Sequence, residues 1–242
     1  MIEIENTVLP SDKQWEAIIR GMRNPMNSWD RSDSGLCKGG DDGIGCRSCA
    51  ECLYKGCEHP YNGSYVLGVD DYTLMQKLAS GGPVHAKYRR MIPVYADVTA
   101  PFYWWKEYDT YKVGTVANSC STMHKITSKE FVLDDFSHDH LNSSKELDMG
   151  YDWLMMTINY LNNYRERYLS ALNSDEKQFW WWQIIQTLPT SYNQKRTIFV
   201  NYEVLTNIYT SRKDHKLYEW RKFCSWIESL PYAKTLICGK EN

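Results

Sequence analysis

Between Ser11 and Arg23 the apolar side chains fall at Trp15, Ile18, Ile19 and Met22, the three-and-four spacing that lines one face of an α-helix, and Ser11-x-x-Gln14 ahead of them has the form of a capping box. The pattern predicts a helix over 11–23. From Asn24 to Gly63 the periodicity gives way to Gly, Asp, Ser and Cys, with Gly39-Gly40-Asp41-Asp42-Gly43 in its middle, which predicts a long loop or insertion. Helical spacing returns over 70–80 and stops at Gly81-Gly82-Pro83, and 87–100 then has the β-branched, alternating character of a strand.

Pro101 opens an aromatic block, Phe102-Tyr103-Trp104-Trp105-Lys106-Glu107-Tyr108, whose spacing suits a buried helix ahead of Gly114. A polar stretch rich in Ser and Thr follows. Over 146–172, Leu154, Ile158, Leu161 and Tyr168 share one helical face, and 174–187 reads as a second helix with Asp175 and Glu176 at its positive N-terminal end, closed by Leu188-Pro189. The stretch from about Thr197 to Leu230 reads as two more helices broken within 211–215. There is no internal repeat. The expected architecture is α+β, helix-rich, with one mostly antiparallel sheet, and the expected organisation is a single domain over 1–242 carrying a Cys-rich insertion at 24–63.

Composition changes this picture in two places. With 242 residues, 43% of them hydrophobic and 24% charged, the chain can bury a core without covalent staples, so its eight cysteines need another explanation. The balance of 28 basic against 30 acidic residues argues against a dedicated nucleic-acid binder, which carries a basic excess to replace phosphate counterions. No stretch has the run of apolar residues that a membrane helix needs, and 1–10 lacks a basic start and a hydrophobic run, so a cytoplasmic protein with no membrane partner is expected. In that compartment thiols stay reduced, which favours metal ligands or bystanders over disulfides. Cys46-x-x-Cys49-x-x-Cys52, then Cys57, with Cys37 upstream and His59 beside them, offers any four thiolates to a tetrahedral zinc. An iron–sulfur site is the neighbouring reading, although the fourth cysteine comes one residue late and no proline follows it; plain reduced thiols in a loop are the third.

Two separated stretches resemble the flavin-dependent thymidylate synthases, the ThyX family. In the C-terminal one, Leu188-Pro189, Tyr192, Asn201, Leu205, Asn207, Arg212, Asp214, His215 and Glu219 follow the order of that family's pattern, except that His215 directly follows Asp214 where the family has a residue between. In the other, Ala100-Pro101 and a helix lead to Thr110-Tyr111-Lys112, and then, after Asn118, to Ser121, at the spacing of the family's Arg-His-Arg…Ser signature. Neither signature arginine is present, and Lys112 is the cation that remains. Pro83-Val84-His85 is similar to the turn that precedes the family's strand.

The resemblance implies a ThyX-like fold, a homotetramer that holds FAD between subunits, and reductive methylation of dUMP or a related pyrimidine nucleotide with NADPH and methylene-tetrahydrofolate as co-substrates. It implies Arg212 over the pyrimidine, where a planar cation hydrogen-bonds carbonyl oxygens and stabilises an enolate, and Ser121 beside the nucleotide. Asn201 and His215 would face the flavin, with Lys112 and Asn118 also on the cofactor side. Each has a plainer reading: Arg212 as a surface residue, Asn201 as a helix cap, His215 in a turn, Ser121 in a polar loop. Lys195 and Arg196 are further cations close to Tyr192. Trp104-Trp105 and Trp180-Trp181-Trp182 could stack on a ring, but neighbours on a helix point about 100° apart, which favours packing for most of them. The other functional class open to the sequence is a non-catalytic binding protein on the same scaffold, with a zinc-stabilised insertion.

Overall fold

The computed structural model describes residues 2–37, 65–141 and 149–239. In chain order these form strand β1 (Glu3–Val8), helix α1 (Asp12–Arg23), β2 (Gly35–Leu36), β3 (Tyr65–Val66), α2 (Val69–Ser80), β4 (Pro93–Pro101), α3 (Phe102–Tyr108) and β5 (Val116–Ser119). Then come α4 (Thr122–Lys125), α5 (Met149–Ser170), α6 (Ser174–Thr187), β6 (Asn193–Asn201), α7 (Tyr202–Arg212), α8 (Tyr218–Ser229) and α9 (Ala233–Leu236). The result is the expected helix-rich α+β architecture. Four strands form one sheet in the order β1-β4-β6-β5, and β2 pairs antiparallel with β3, Gly35 opposite Val66 and Leu36 opposite Tyr65.

Two expectations need correction. Residues 86–91 are a 3₁₀-helix rather than the start of the strand, because Ala86, Arg89 and Ile92 are all buried at a spacing of three, the 3₁₀ period. Residues 197–201 belong to β6 rather than to a helix. There Gln194, Ile198 and Val200 are buried while Lys195 and Thr197 point outward, a period of two in a β-branched run. The helix begins only where Asn201 caps it, its Oδ1 accepting from Val204 N at 3.0 Å.

The chain divides into two compact units that interleave in sequence, and the division falls within the strands of the four-stranded sheet. One unit comprises residues 1–5, 97–112 and 117–198. Its core joins Leu154, Ile158 and Leu161 of α5 to Ile184 of α6 and to Ile126, Phe131 and Phe136. Trp104, Trp105 and Tyr108 of α3 are fully buried, so the aromatic block is packing.

The other unit comprises residues 6–96, 113–116 and 199–242. α1 starts as its capping box predicts, with Ser11 N donating to Gln14 Oε1 at 2.8 Å, and buries Trp15, Ile18, Ile19 and Met22. At its far end Arg23 Nε donates to Asp71 Oδ1 at 2.5 Å, both side chains being buried. Asp71 Oδ2 accepts from Ser32 Oγ at 2.8 Å, from Ser34 Oγ at 2.6 Å, and from the backbone of Asp33 and Ser34. Asp33 in turn accepts from Asp70 N and Asp71 N at the start of α2. A Cβ at Gly68 would stand 2.2 Å from the Asp33 carboxyl carbon, so this crossing requires glycine.

Candidate functional site

In the second unit α7 carries a candidate group at each end. Its eleven residues put Asn201 and Arg212 about 16 Å apart along the axis. The N-terminal end is built around Asn201, which is buried, and whose Oδ1 is committed to the cap. The chemistry left to this side chain is that of the donor Nδ2. Gly114 lies against it: a Cβ there would be 3.0 Å from Asn201 Nδ2 and 3.2 Å from Val204 Cγ2, and its φ of +78° is glycine's region as well. Two residues into the helix, Glu203 faces Arg89 of the 3₁₀-helix across 3.9 Å, an ion pair too long for a hydrogen bond. Arg89 Nε and Glu203 Oε2 are buried and make no hydrogen bond in the described structure, so a bridging water or ligand atom would satisfy both. Arg89 is the arginine that sequence reasoning missed; it sits inside what reads as a strand, and only burial on a period of three distinguishes it.

At the C-terminal end Arg212 and His215 come together. Arg212 Nη1 is 3.0 Å from His215 Nε2, and the guanidinium carbon lies 4.9 Å from the centre of the Trp220 ring. Leu217 N–H lies 3.2 Å from His215 Nδ1; a neutral imidazole has one acceptor nitrogen, so the ring takes a hydrogen bond from Arg212 at Nε2 or from Leu217 at Nδ1 according to its tautomer, and it meets Trp220 edge-on. Both side chains are half-buried, while Glu219 and Trp220 beside them are buried. A planar cation held on an aromatic face and half open to solvent is suited to a flat ligand carrying carbonyl oxygens. A polar cavity of about 340 Å³ is lined by residues of α7, α8 and the turn between them, including Tyr209, Asp214, Arg221 and Cys224. Burial pushes the Cys224 thiol up to about 12, which makes it inert.

The first unit holds the other predicted residues, each described within that unit. Ser121 is exposed and caps α4, its Oγ accepting from His124 N at 3.3 Å. Asn118 is exposed on β5, and Lys112 is exposed beyond α3. Arg196 is not an open cation: Nη1 donates to Asp109 Oδ1 at 2.8 Å and the guanidinium stacks 4.2 Å above Trp105. Lys195 is likewise held by Glu5 at 2.9 Å. Trp181 Nε1 donates to Met123 O and Trp180 stacks on Tyr164, leaving Trp182 the most exposed of the three.

Of the predicted metal ligands, Cys37 is buried against Val66 at the base of the β2–β3 pair. Cys46, Cys49, Cys52, Cys57 and His59 lie outside the described residues. Among the described residues there is no group of three or more His, Cys, Asp or Glu able to hold a metal ion. No described helix is long and apolar enough to cross a membrane.

The fold so assembled is that of the flavin-dependent thymidylate synthases. Two crystal structures of ThyX from Helicobacter pylori with FAD and dUMP superpose with TM-scores of 0.57 and 0.58, each covering 98% of this chain and 97% of its own. Sequence identity to each is 16%, so what the likeness carries is the fold. No family model and no curated protein matches the chain.

Proposed function

We propose that this chain is a divergent flavin-dependent thymidylate synthase-like enzyme that binds FAD and a pyrimidine nucleotide, dUMP or a relative of it. The observation that carries the reading is Arg212 held on Trp220 beside His215, in a fold whose solved neighbours contain FAD and dUMP. The donors present suit such ligands: Asn201 Nδ2, the Arg212 guanidinium and the exposed Lys112 all donate, which fits carbonyl and phosphate oxygens. Lys112 meets a phosphate as a point charge where a family arginine would make a bidentate contact.

FAD, when bound, supplies the redox chemistry and the protein supplies orientation and charge. Arg212 stabilises negative charge on a pyrimidine carbonyl, Ser121 donates to the nucleotide, and Asn201 and His215, with Lys112 and Asn118, hold the cofactor. NADPH and methylene-tetrahydrofolate are the proposed reductant and one-carbon donor. A homotetramer is part of the same proposal. It is supported by a stripe of large apolar side chains along α5, Met149, Trp153, Met156 and Tyr160, all more than half exposed at helical spacing. Zinc on four of Cys37, Cys46, Cys49, Cys52 and Cys57 completes it, and metal analysis of the purified protein should return about one zinc per chain, released by thiol modification.

The deciding experiment is the visible spectrum of the protein after loading with FAD and dialysis, followed by turnover with dUMP, NADPH and methylene-tetrahydrofolate. Retained flavin that is oxidised in a dUMP-dependent way by the wild type, and not by Arg212→Ala, supports the reading. A chain that retains no flavin overturns it in favour of a binding protein on this scaffold.

A further inference from the structure

Gln194 is a buried amide in β6 with every polar atom engaged. Its Oε1 accepts from Arg196 Nε at 2.9 Å, and its Nε2 donates to Cys120 O at 3.2 Å and to Thr122 Oγ1 at 2.9 Å. Arginine can only donate, so Oε1 must face Arg196 and the amide cannot be flipped. Arg196 is itself fixed by Asp109 and by the face of Trp105, whose Nε1 donates to Gln194 O at 2.9 Å. One further bond, Cys120 N to Lys195 O at 3.1 Å, holds the same segment to the same strand.

The chain of contacts runs from Asp109, which ends α3 immediately before Thr110-Tyr111-Lys112, through Arg196 and Gln194 to the two residues that flank Ser121. Ser121 itself accepts at its carbonyl from Lys125 N at 3.1 Å and at its Oγ from His124 N at a long 3.3 Å, both bonds to its own helical turn, so its tie to β6 runs through its two neighbours.

We infer that Gln194 is a positioning residue, which fixes Ser121 for its ligand by clamping Cys120 and Thr122 while Arg196 and Asp109 tie that clamp to the end of α3. The inference rests on the reading of Ser121 as a nucleotide-side residue, and it gives Arg196 a role other than phosphate binding. Arg196 aims the amide that aims the loop.

Gln194→Glu tests it, because glutamate keeps the shape and accepts from Arg196 but has no donor for Cys120 O. Thr122→Val is the second variant, removing one acceptor and leaving Gln194 in place. Hydrogen exchange of residues 120–124 followed by mass spectrometry reads the clamp without reference to function, and titration of the FAD-loaded protein with dUMP reads its consequence. Thr122→Val should melt near the wild-type temperature and Gln194→Glu, which sets a carboxylate oxygen against the Cys120 carbonyl, somewhat below it, both with the faster exchange centred on 120–124 under conditions where each is folded. Gln194→Glu should bind dUMP about tenfold more weakly, the loss expected for removing hydrogen bonds from a positioned group, and Thr122→Val less so. Exchange unchanged in Gln194→Glu would overturn the clamp. Faster exchange with dUMP affinity unchanged there and in Ser121→Ala would instead overturn the placement of Ser121 at the nucleotide.

Discussion

Gly114 and Asn201 touch so closely that a single added carbon on the glycine would press on the amide nitrogen of the asparagine at 3.0 Å. The contact couples an exposed turn to the first turn of α7. Gly114→Ala should cost roughly 1–3 kcal/mol, from the positive φ together with the crowding. Asn201→Ser keeps a capping oxygen while withdrawing the amide, so in that background Gly114→Ala should cost less. A double-mutant cycle by chemical denaturation checks this, and strict additivity would deny the coupling.

Burial alone would raise the Asp71 carboxyl, but hydrogen bonds from Ser34, Ser32 and Arg23 and the Arg23 charge outweigh it and hold the group below its ordinary 3.8. A folded-state value below the unfolded one adds stability that is complete above the unfolded value and drains away as pH falls through 3.8 toward the folded one. Acid titration of unfolding free energy should therefore fall more steeply below about pH 4 in the wild type than in Asp71→Asn. Arg23→Ala, which strands a buried carboxylate, should cost about 3–5 kcal/mol.

Thiol reactivity should separate Cys224 from Cys120. Cys224, its thiol pushed up by burial to about 12, should stay unmodified at pH 8 in the folded protein, whereas exposed Cys120 should alkylate. Peptide mapping after a short iodoacetamide pulse distinguishes them, and a labelled Cys224 in folded protein would contradict the packing of α8.

Arg212→Lys keeps the charge and loses the planar fork that lies over Trp220. Thermal stability should stay close to that of the wild type, and dUMP-dependent flavin oxidation should drop by about two orders of magnitude, a typical cost for losing a positioned electrostatic donor. Turnover equal to wild type would remove Arg212 from the reacting centre.

Helices were legible in the sequence wherever an apolar face repeats, as in α1 and α5, or where a cap and a proline bracket the run, as in α6. The strands were mostly not. β1 and β5 are the two edges of the sheet, and nearly all their residues are exposed, so no alternation exists to be read. β6 alternates, but it runs straight into α7, and only the Asn201 cap marks the change. The neighbourhood of Arg212 and His215 was visible because two residues three apart in sequence at a helix end stay close in any fold. Arg89 and Gln194 were hidden, since what singles each of them out is a partner brought close by tertiary structure: Glu203 for one, the Cys120 carbonyl for the other.

The bonds around Asp71 join the segment ending at Cys37 to the segment beginning at Tyr65, with β2 and β3 already in register. Chain that departs and returns through such a fastening has its ends brought together whatever its length. Closing a longer excursion then adds only about 0.6 kcal/mol of lost chain freedom for each doubling. The scaffold thus holds the segments ending at Cys37 and beginning at Tyr65 through its own bonds, so the Arg23–Asp71 pairing does not draw on the length of chain between Cys37 and Tyr65.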